Sequence, residues 1–219
     1  MKILLTGATG MIGSIVAHHC LASNEVTEVL SFLRRPSGLS HEKLTEVILE
    51  DFSDYSKHME RFEGVQAGIF CLGVYTGQVA DDVFKKITVD YAVEFAKALA
   101  AKSPNARLCL LSGQGADRSE KSRTSFARYK GMAENQIAEL DLQFHTFRPA
   151  YIYPVEARNE PNIAYRISRF LYPVLRALGP KYSIPSTELG KAMFEVACHG
   201  TDKEVLENHD ILQYLQTLS

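Results

Sequence analysis

Residues 1–20 read MKILLTGATGMIGSIVAHHC. Ile3, Leu4 and Leu5 form a short continuous apolar run, as expected for a parallel strand covered on both faces. From Ile12 onward, Ile12, Val16 and Leu21, with Ile15 and Ala22, recur at helical spacing, which predicts a helix beginning near Gly13. Three glycines, Gly7, Gly10 and Gly13, stand around this junction. Glycine serves where a backbone must turn tightly, take a positive φ or let another group come close. A helix N-terminus presents unpaired N–H groups and a partial positive charge, both suited to a phosphate. Strand, glycine loop and helix in this order predict a diphosphate cradle, with Thr9, Met11 and Ile12 carried in the same loop. A glycine-rich turn also serves as a plain connector, and the spacing G-x-x-G-x-x-G departs from the usual G-x-G-x-x-G. The loop's place at the first strand–helix junction favours the nucleotide reading.

Strand-like apolar runs recur along the chain: EVLSFL (28–33), LTEVILE (44–50), VQAGIFCLG (65–73), ARLCLLSG (106–113) and LQFHTFRP (142–149). Helical stretches separate several of them. The longest, about 79–102, carries Phe84, Ile87, Tyr91, Phe95 and Leu99 as one stripe. This alternation predicts an α/β fold, a doubly wound parallel sheet with helices on both faces and ligands outside the carboxyl ends of the strands. After Pro149 the alternation breaks. NIAYRISRFLYPVLRAL (162–178) is a helix candidate bent at Pro173, and STELGKAMFEVAC (186–198) is another, with Ser186 or Thr187 as N-cap. The C-terminal third is expected to fold over the nucleotide site as a small substrate-side lobe, with 150–186 as the segment facing the substrate.

At 219 residues the chain suits one domain spanning 1–219. Hydrophobic residues make up 46%, and a net charge of −2 offers no basic surface for nucleic acid. The four cysteines, Cys20, Cys71, Cys109 and Cys198, form no C-x-x-C pair; Cys71 and Cys109 lie in apolar runs and read as small buried residues. No signal segment precedes the first strand and no apolar run approaches membrane-spanning length, so the expectation is a reduced cytoplasmic protein, monomer or homodimer, without a membrane partner. His18 and His19 are helix neighbours rather than a metal-binding i, i+4 pair, and no metal site is predicted. Arg166, Arg169 and Arg176 form a solvated face or one that attracts an acidic substrate or partner.

At the end of the second strand, an acidic residue would bind a ribose 2′-OH and an arginine would accommodate a 2′-phosphate. Here SFLRRPS places Arg34 and Arg35, a planar donor fork suited to phosphate, though a solvated basic turn would look the same. NADP is therefore expected over NAD. The segment TGATGMIG resembles the TGxxGxxG loop of the short-chain dehydrogenase/reductases, in their atypical and extended branches. CLGVYTG (71–77), LLSGQGAD (110–117), FRPAYIYP (147–154), LGKAM and VLENHDI resemble the atypical group that includes the Tat-interacting protein, so the resemblance covers the whole chain. It implies an NAD(P)-binding Rossmann-like domain. It also implies that Asp51 contacts the adenine with Phe52 flanking the ring, although a loop aspartate capping the next helix fits Asp51 equally well. Cys71, Leu72 and Gly73 are implied beside the cofactor, Gly73 allowing close approach to its ribose, and Pro149, Ala150, Tyr151 and Ile152 are implied among the cofactor-binding residues as well.

Oxidoreductases of this family use a serine and a Y-x-x-x-K pair, because residues four apart share a helix face and can meet substrate and ribose together. Ser112 matches the serine position. In TSFARYKGMAENQIAELDL (124–142), Phe126, Ala133, Ile137 and Leu140 define an inward stripe that includes Lys130. A lysine there is costly to bury without a partner, or snorkels to water; with the other motifs it is expected to face the cofactor. Four residues earlier stands Phe126, which has no proton to donate. Tyr129 serves only if the helix is distorted, and Tyr75, Tyr151 and Tyr153 are candidates to replace the hydroxyl. Two functions follow: an NADPH-dependent reductase of a small carbonyl-type substrate, or a non-catalytic NADP(H) sensor acting on a regulatory protein partner. Nucleotide-sugar chemistry fits less well, since the substrate segment is short and the tyrosine is lost.

Overall fold

Ile3, Leu4 and Leu5 are fully buried at the centre of a sheet that two layers of helices cover. In the computed structural model described here, which covers residues 1–156, 172 and 179–218, β1 (Lys2–Thr6) leads into α1 (Met11–Ala22), followed by β2 (Glu28–Leu33) and β3 (Leu44–Ile48). A 3₁₀ turn (Ser56–Phe62) precedes β4 (Ala67–Phe70); then come α2 (Asp81–Lys85), α3 (Tyr91–Lys102), β5 (Arg107–Leu111), α4 (Ser125–Ala138) and β6 (Gln143–Arg148). β7 (Tyr151–Tyr153), β8 (Ser183–Pro185), α5 (Ser186–His199), β9 (Val205–Glu207) and α6 (Asn208–Gln216) complete the order.

Seven strands pair in parallel in the order β3-β2-β1-β4-β5-β6-β9. Thr6 stands opposite both Phe32 of β2 and Phe70 of β4, and Leu111 opposite Phe147 of β6, so the carboxyl ends finish together at one edge. The order runs outward from β1 in both directions, and the crevice between β1 and β4 is the switch point at which such sheets bind ligands. One core, holding Val16, Cys20, Leu189 and Met193, lies under α1 and α5. The other, holding Phe32, Phe62, Phe95 and Leu99, lies under α3 and α4.

α1 begins at Met11, close to Gly13 as expected, with Gly10 as its N-cap. The structure corrects the sequence reading at several other elements. The helix expected over 79–102 is interrupted by a π turn at Lys86–Asp90. The wider turn rotates the stripe, so Thr88 and Val89 are buried while Ile87 and Tyr91 are only half-buried. α5 is capped by Pro185, not by a side chain of Ser186 or Thr187; the Ser186 hydroxyl instead accepts the Val155 N–H at 3.2 Å. The C-terminal third does not simply cover the nucleotide site, because β9 extends the main sheet and α5 packs beside α1. β7 and β8 pair separately as a two-stranded ribbon. The helix candidate 162–178 with its bend at Pro173, Arg166, Arg169 and Arg176, and much of the 150–186 segment lie outside the described residues. Among the described residues no helix is long and apolar enough to cross a membrane.

Candidate functional site

A cleft of about 790 Å³ opens at the carboxyl ends of β1, β4 and β5. Gly10, Met11 and Ile12 form one end, Cys71, Leu72 and Gly73 one wall, and Pro149, Ala150, Tyr151 and Ile152 the other. Ser112, Phe126 and Lys130 line it from β5 and α4, and Tyr75 from the loop after β4. Tyr153, proposed with these tyrosines as a hydroxyl source, is not part of this lining; it borders a separate cavity of about 640 Å³.

The glycine loop is shaped by packing as much as by any ligand. Gly7 has φ +77°, and a Cβ on it would stand 2.7 Å from the Cys71 carbonyl; a Cβ on Gly13 would stand 2.1 Å from the Gly7 oxygen. Both glycines bring the loop down onto β4 and α1, behind the cleft, while Gly10 and Thr9 are exposed at its edge. The α1 N-terminus has no side-chain cap and no acidic residue in its first turn. Its unpartnered N–H groups and the positive end of its dipole are therefore left for an anion. A Cβ at Gly73 would meet nothing within 4 Å, so that wall can be approached closely. These residues fit the diphosphate and ribose of a dinucleotide.

Arg34 and Arg35 are exposed immediately beyond β2, and among the described residues neither enters an ion pair. Asp51 is exposed, with Oδ2 paired to Lys86 Nζ at 2.8 Å and Oδ1 accepting the Ser53 N–H at 2.9 Å. The Lys86 bond, then those from Ser53, hold its carboxyl well below the ordinary range. Asp51 therefore shapes its own loop and does not cap the next helix, whose N-cap is Tyr55 without a side-chain bond. Phe52 is a correction: it is 1% exposed and packs against Tyr91 at 5.7 Å, leaving no free ring face for an adenine. Cys71 is half-buried and lines the cleft rather than sitting in the core, whereas Cys109 is fully buried.

At the other end, the one-turn spacing of Phe126 and Lys130 brings both into the cleft, as the stripe predicted. The Lys130 Nζ donates to the Leu111 carbonyl at 2.9 Å. Burial lowers its pKa to about 8, against the raising influence of Glu134 and Cys71. Tyr129 is a second correction. It points to the opposite side of α4, its hydroxyl donating to Asp81 Oδ2 at 2.5 Å and its ring beside Phe84 at 5.9 Å. No helical distortion turns it toward Lys130, and adjacent helix positions diverge as geometry requires.

Ser112 reaches the cleft, but its Oγ donates to Glu134 Oε1 at 2.6 Å. Glu134 is the residue that sequence reasoning missed. Its side chain is fully buried and receives Arg148 Nη2 at 2.5 Å and Arg118 Nε at 2.9 Å, with Thr146 Oγ1 at 3.1 Å. Burial raises its carboxyl pKa, but the bonds from Arg148, Ser112 and Arg118 outweigh that and hold it below the usual value. The signal lay at i+4 from Lys130 on the same stripe. A second unread residue, the buried Asn208, accepts the Ala150 N–H at 2.8 Å and donates to the Pro180 and Ser183 carbonyls at 2.6 and 2.9 Å. It ties the Pro149–Ile152 wall to α6 and β8.

Parallel sheet, switch-point cleft and uncapped helix define a Rossmann-like nucleotide-binding domain. The NAD(P)H-binding family profile matches residues 7–196, and the chain belongs to that family. It is similar to the protein named "Protein FMP52, mitochondrial" of Candida albicans, 28% identical over 146 residues, covering 64% of this chain and 62% of that protein. The protein of the same name from Lodderomyces elongisporus is 25% identical over 151 residues, covering 65% and 62%. The chain thus spans less than two thirds of these relatives' length. Among solved structures, the Bordetella bronchiseptica enzyme WbmG in complex with NAD superposes with a TM-score of 0.68 at 16% identity, covering 98% of this chain and 78% of that one. MoeE5 in complex with UDP-glucose and NAD gives 0.69 at 14%, covering 100% and 82%.

Proposed function

We propose that this protein is an NADP(H)-dependent reductase of a small carbonyl-type substrate. One observation carries the reading: an open helix N-terminus and a half-buried lysine stand in the same cleft at the switch point of the sheet. When bound, a reduced nicotinamide supplies a hydride. Gly10, Met11 and Ile12 hold the diphosphate, and Arg34 and Arg35 select a phosphorylated ribose. Asp51 borders the adenine end through its exposed turn. Lys130 orients the nicotinamide ribose, while Cys71, Leu72, Gly73 and Pro149–Ile152 form the walls. Because the Ser112 proton is held by Glu134, Ser112 offers lone pairs to the cleft and orients groups that carry an N–H or O–H. Four free cysteines support a reducing compartment, of which the cytoplasm is one.

A second reading, a cofactor-binding regulator that acts on a protein partner, is favoured by Phe126 in the tyrosine's place. Fluorescence titration with NADPH and NADH, followed by assay of NADPH oxidation with carbonyl probes, separates the two. Turnover that falls sharply in Lys130→Ala supports the reductase; tight NADPH binding without turnover above that variant supports the regulator. Replacing Arg34 and Arg35 together by Ala is expected to weaken NADPH by at least about tenfold and NADH much less, since charge-assisted bonds to phosphate are worth roughly 1.5–3 kcal/mol each. Equal losses would remove the argument for the phosphate.

A further inference from the structure

With no tyrosine at the usual position, the reductase reading needs a proton source, and the inference here rests on that reading. Phe126, in the tyrosine's place, has no proton to give. The proton of Ser112 is directed away from the cleft, toward Glu134, and Glu134, held ionised by two guanidinium groups, only accepts. Tyr75 and Tyr151 also line the cleft, but Tyr75 comes from the loop after β4 and Tyr151 from β7, not from the β5–α4 side that carries Ser112 and Lys130. Lys130 differs from all of these. Its bond to the Leu111 carbonyl uses one of three ammonium hydrogens and anchors the head at the carboxyl end of β5. Two hydrogens are left, one for a ribose hydroxyl and one for the substrate.

We propose that Lys130 is itself the general acid of this cleft, passing a proton directly to the substrate oxygen. The step balances. A bound reduced nicotinamide would supply the hydride for the new C–H bond at the carbonyl carbon, and the C=O π pair would move onto oxygen. The Nζ–H bond of Lys130 then breaks as the O–H bond forms, and the neutral amine regains a proton from water. The carbonyl would be reduced to an alcohol and the nicotinamide oxidised. Glu134 on the same helix and the Cys71 thiol from the end of β4 both raise the acid's value; Tyr75 and Tyr151 line the same cleft, and Arg118 and Arg148 stand behind Glu134, paired to it. Burial is the largest influence, and the resulting value of about 8 leaves the ammonium charged at neutral pH yet a far stronger acid than an ordinary lysine.

Two readouts test the role. In protein carrying ¹³Cε-lysine and saturated with NADP⁺, the Lys130 resonance, identified by its loss in Lys130→Arg, is expected to titrate near pH 8, about two units below an ordinary lysine; a midpoint at the ordinary value overturns the proposal. In turnover with 9,10-phenanthrenequinone and 4-nitrobenzaldehyde as carbonyl probes, kcat is expected to fall about tenfold per pH unit above that midpoint. Lys130→Arg, which keeps the charge but does not release a proton, is expected to lose roughly 100-fold or more in kcat while still binding NADPH. A pH-independent kcat, or an undiminished one in Lys130→Arg, overturns the role even if wild-type turnover is robust. Wild-type protein saturated with NADPH that reduces neither probe overturns the reductase reading, and this role with it.

Discussion

At Phe126, Tyr129 and Lys130, three side chains within a turn and a half of one helix go to different fates. The sequence spacing foretold it: positions four apart share the cleft, and the position between them leaves it. Glu134 was harder to read. It lies on the same stripe, but its partners Arg118 and Arg148 come from a loop and a strand whose approach no local pattern encodes. Removing it by Glu134→Ala leaves two guanidinium groups without their buried counter-charge and is expected to cost about 3–5 kcal/mol. The pH dependence has a definite sign. A carboxyl whose folded pKa is depressed contributes stability that is present above its unfolded value, near 4.5, and is lost as pH falls through the folded value. The stability gap between wild type and Glu134→Ala, measured by urea unfolding, is therefore expected to be full at neutral pH and to shrink below about pH 4. A gap that widens on acidification would contradict the buried ion network.

At the scale of elements, the first strand, the glycine loop and α1 were legible because a continuous apolar run and a 3.6-residue period sit on either side of the loop. The π turn at Lys86–Asp90 was not, since reading a stripe assumes a constant period and one extra residue in a turn leaves no compositional mark. The N-cap of α5 was misread because the Ser186 hydroxyl serves a residue from another segment. α5 itself carries a testable contact. A Cβ on Gly190 would stand 2.4 Å from Ile15 Cγ2 and 2.9 Å from its Cβ, so α5 lies close against α1 only with glycine there. Gly190→Ala is expected to destabilise the protein by roughly 1–3 kcal/mol through overpacking. Ile15→Ala in the same chain is expected to recover part of that loss, which a double-mutant cycle from denaturation midpoints would read as a coupling of about 0.5 kcal/mol or more. Strict additivity would mean that the helices relax apart without consequence.

For the molecule as a whole, alternating strands and helices were enough to give the doubly wound sheet, its parallel pairing and the location of the cleft. They did not give the seventh strand, Val205–Glu207, which at three residues is too short to show a pattern. Nor did they show that Asn208 would hold one cleft wall from the far end of the chain. The four groups that define the site, the α1 N-terminus, Gly73, Ser112 with Lys130, and Pro149–Ile152, come from segments spread over most of the sequence and meet because all the parallel strands end at one edge. That convergence is what a dinucleotide would report on. Hydrogen exchange of the full chain, followed by mass spectrometry with and without saturating NADPH, tests it directly. Slowed exchange is expected at residues 7–13 and 71–73, with the outward turns of α5 unchanged. Unaltered exchange at both segments, at concentrations where NADPH is in large excess, would contradict a diphosphate held at the start of α1.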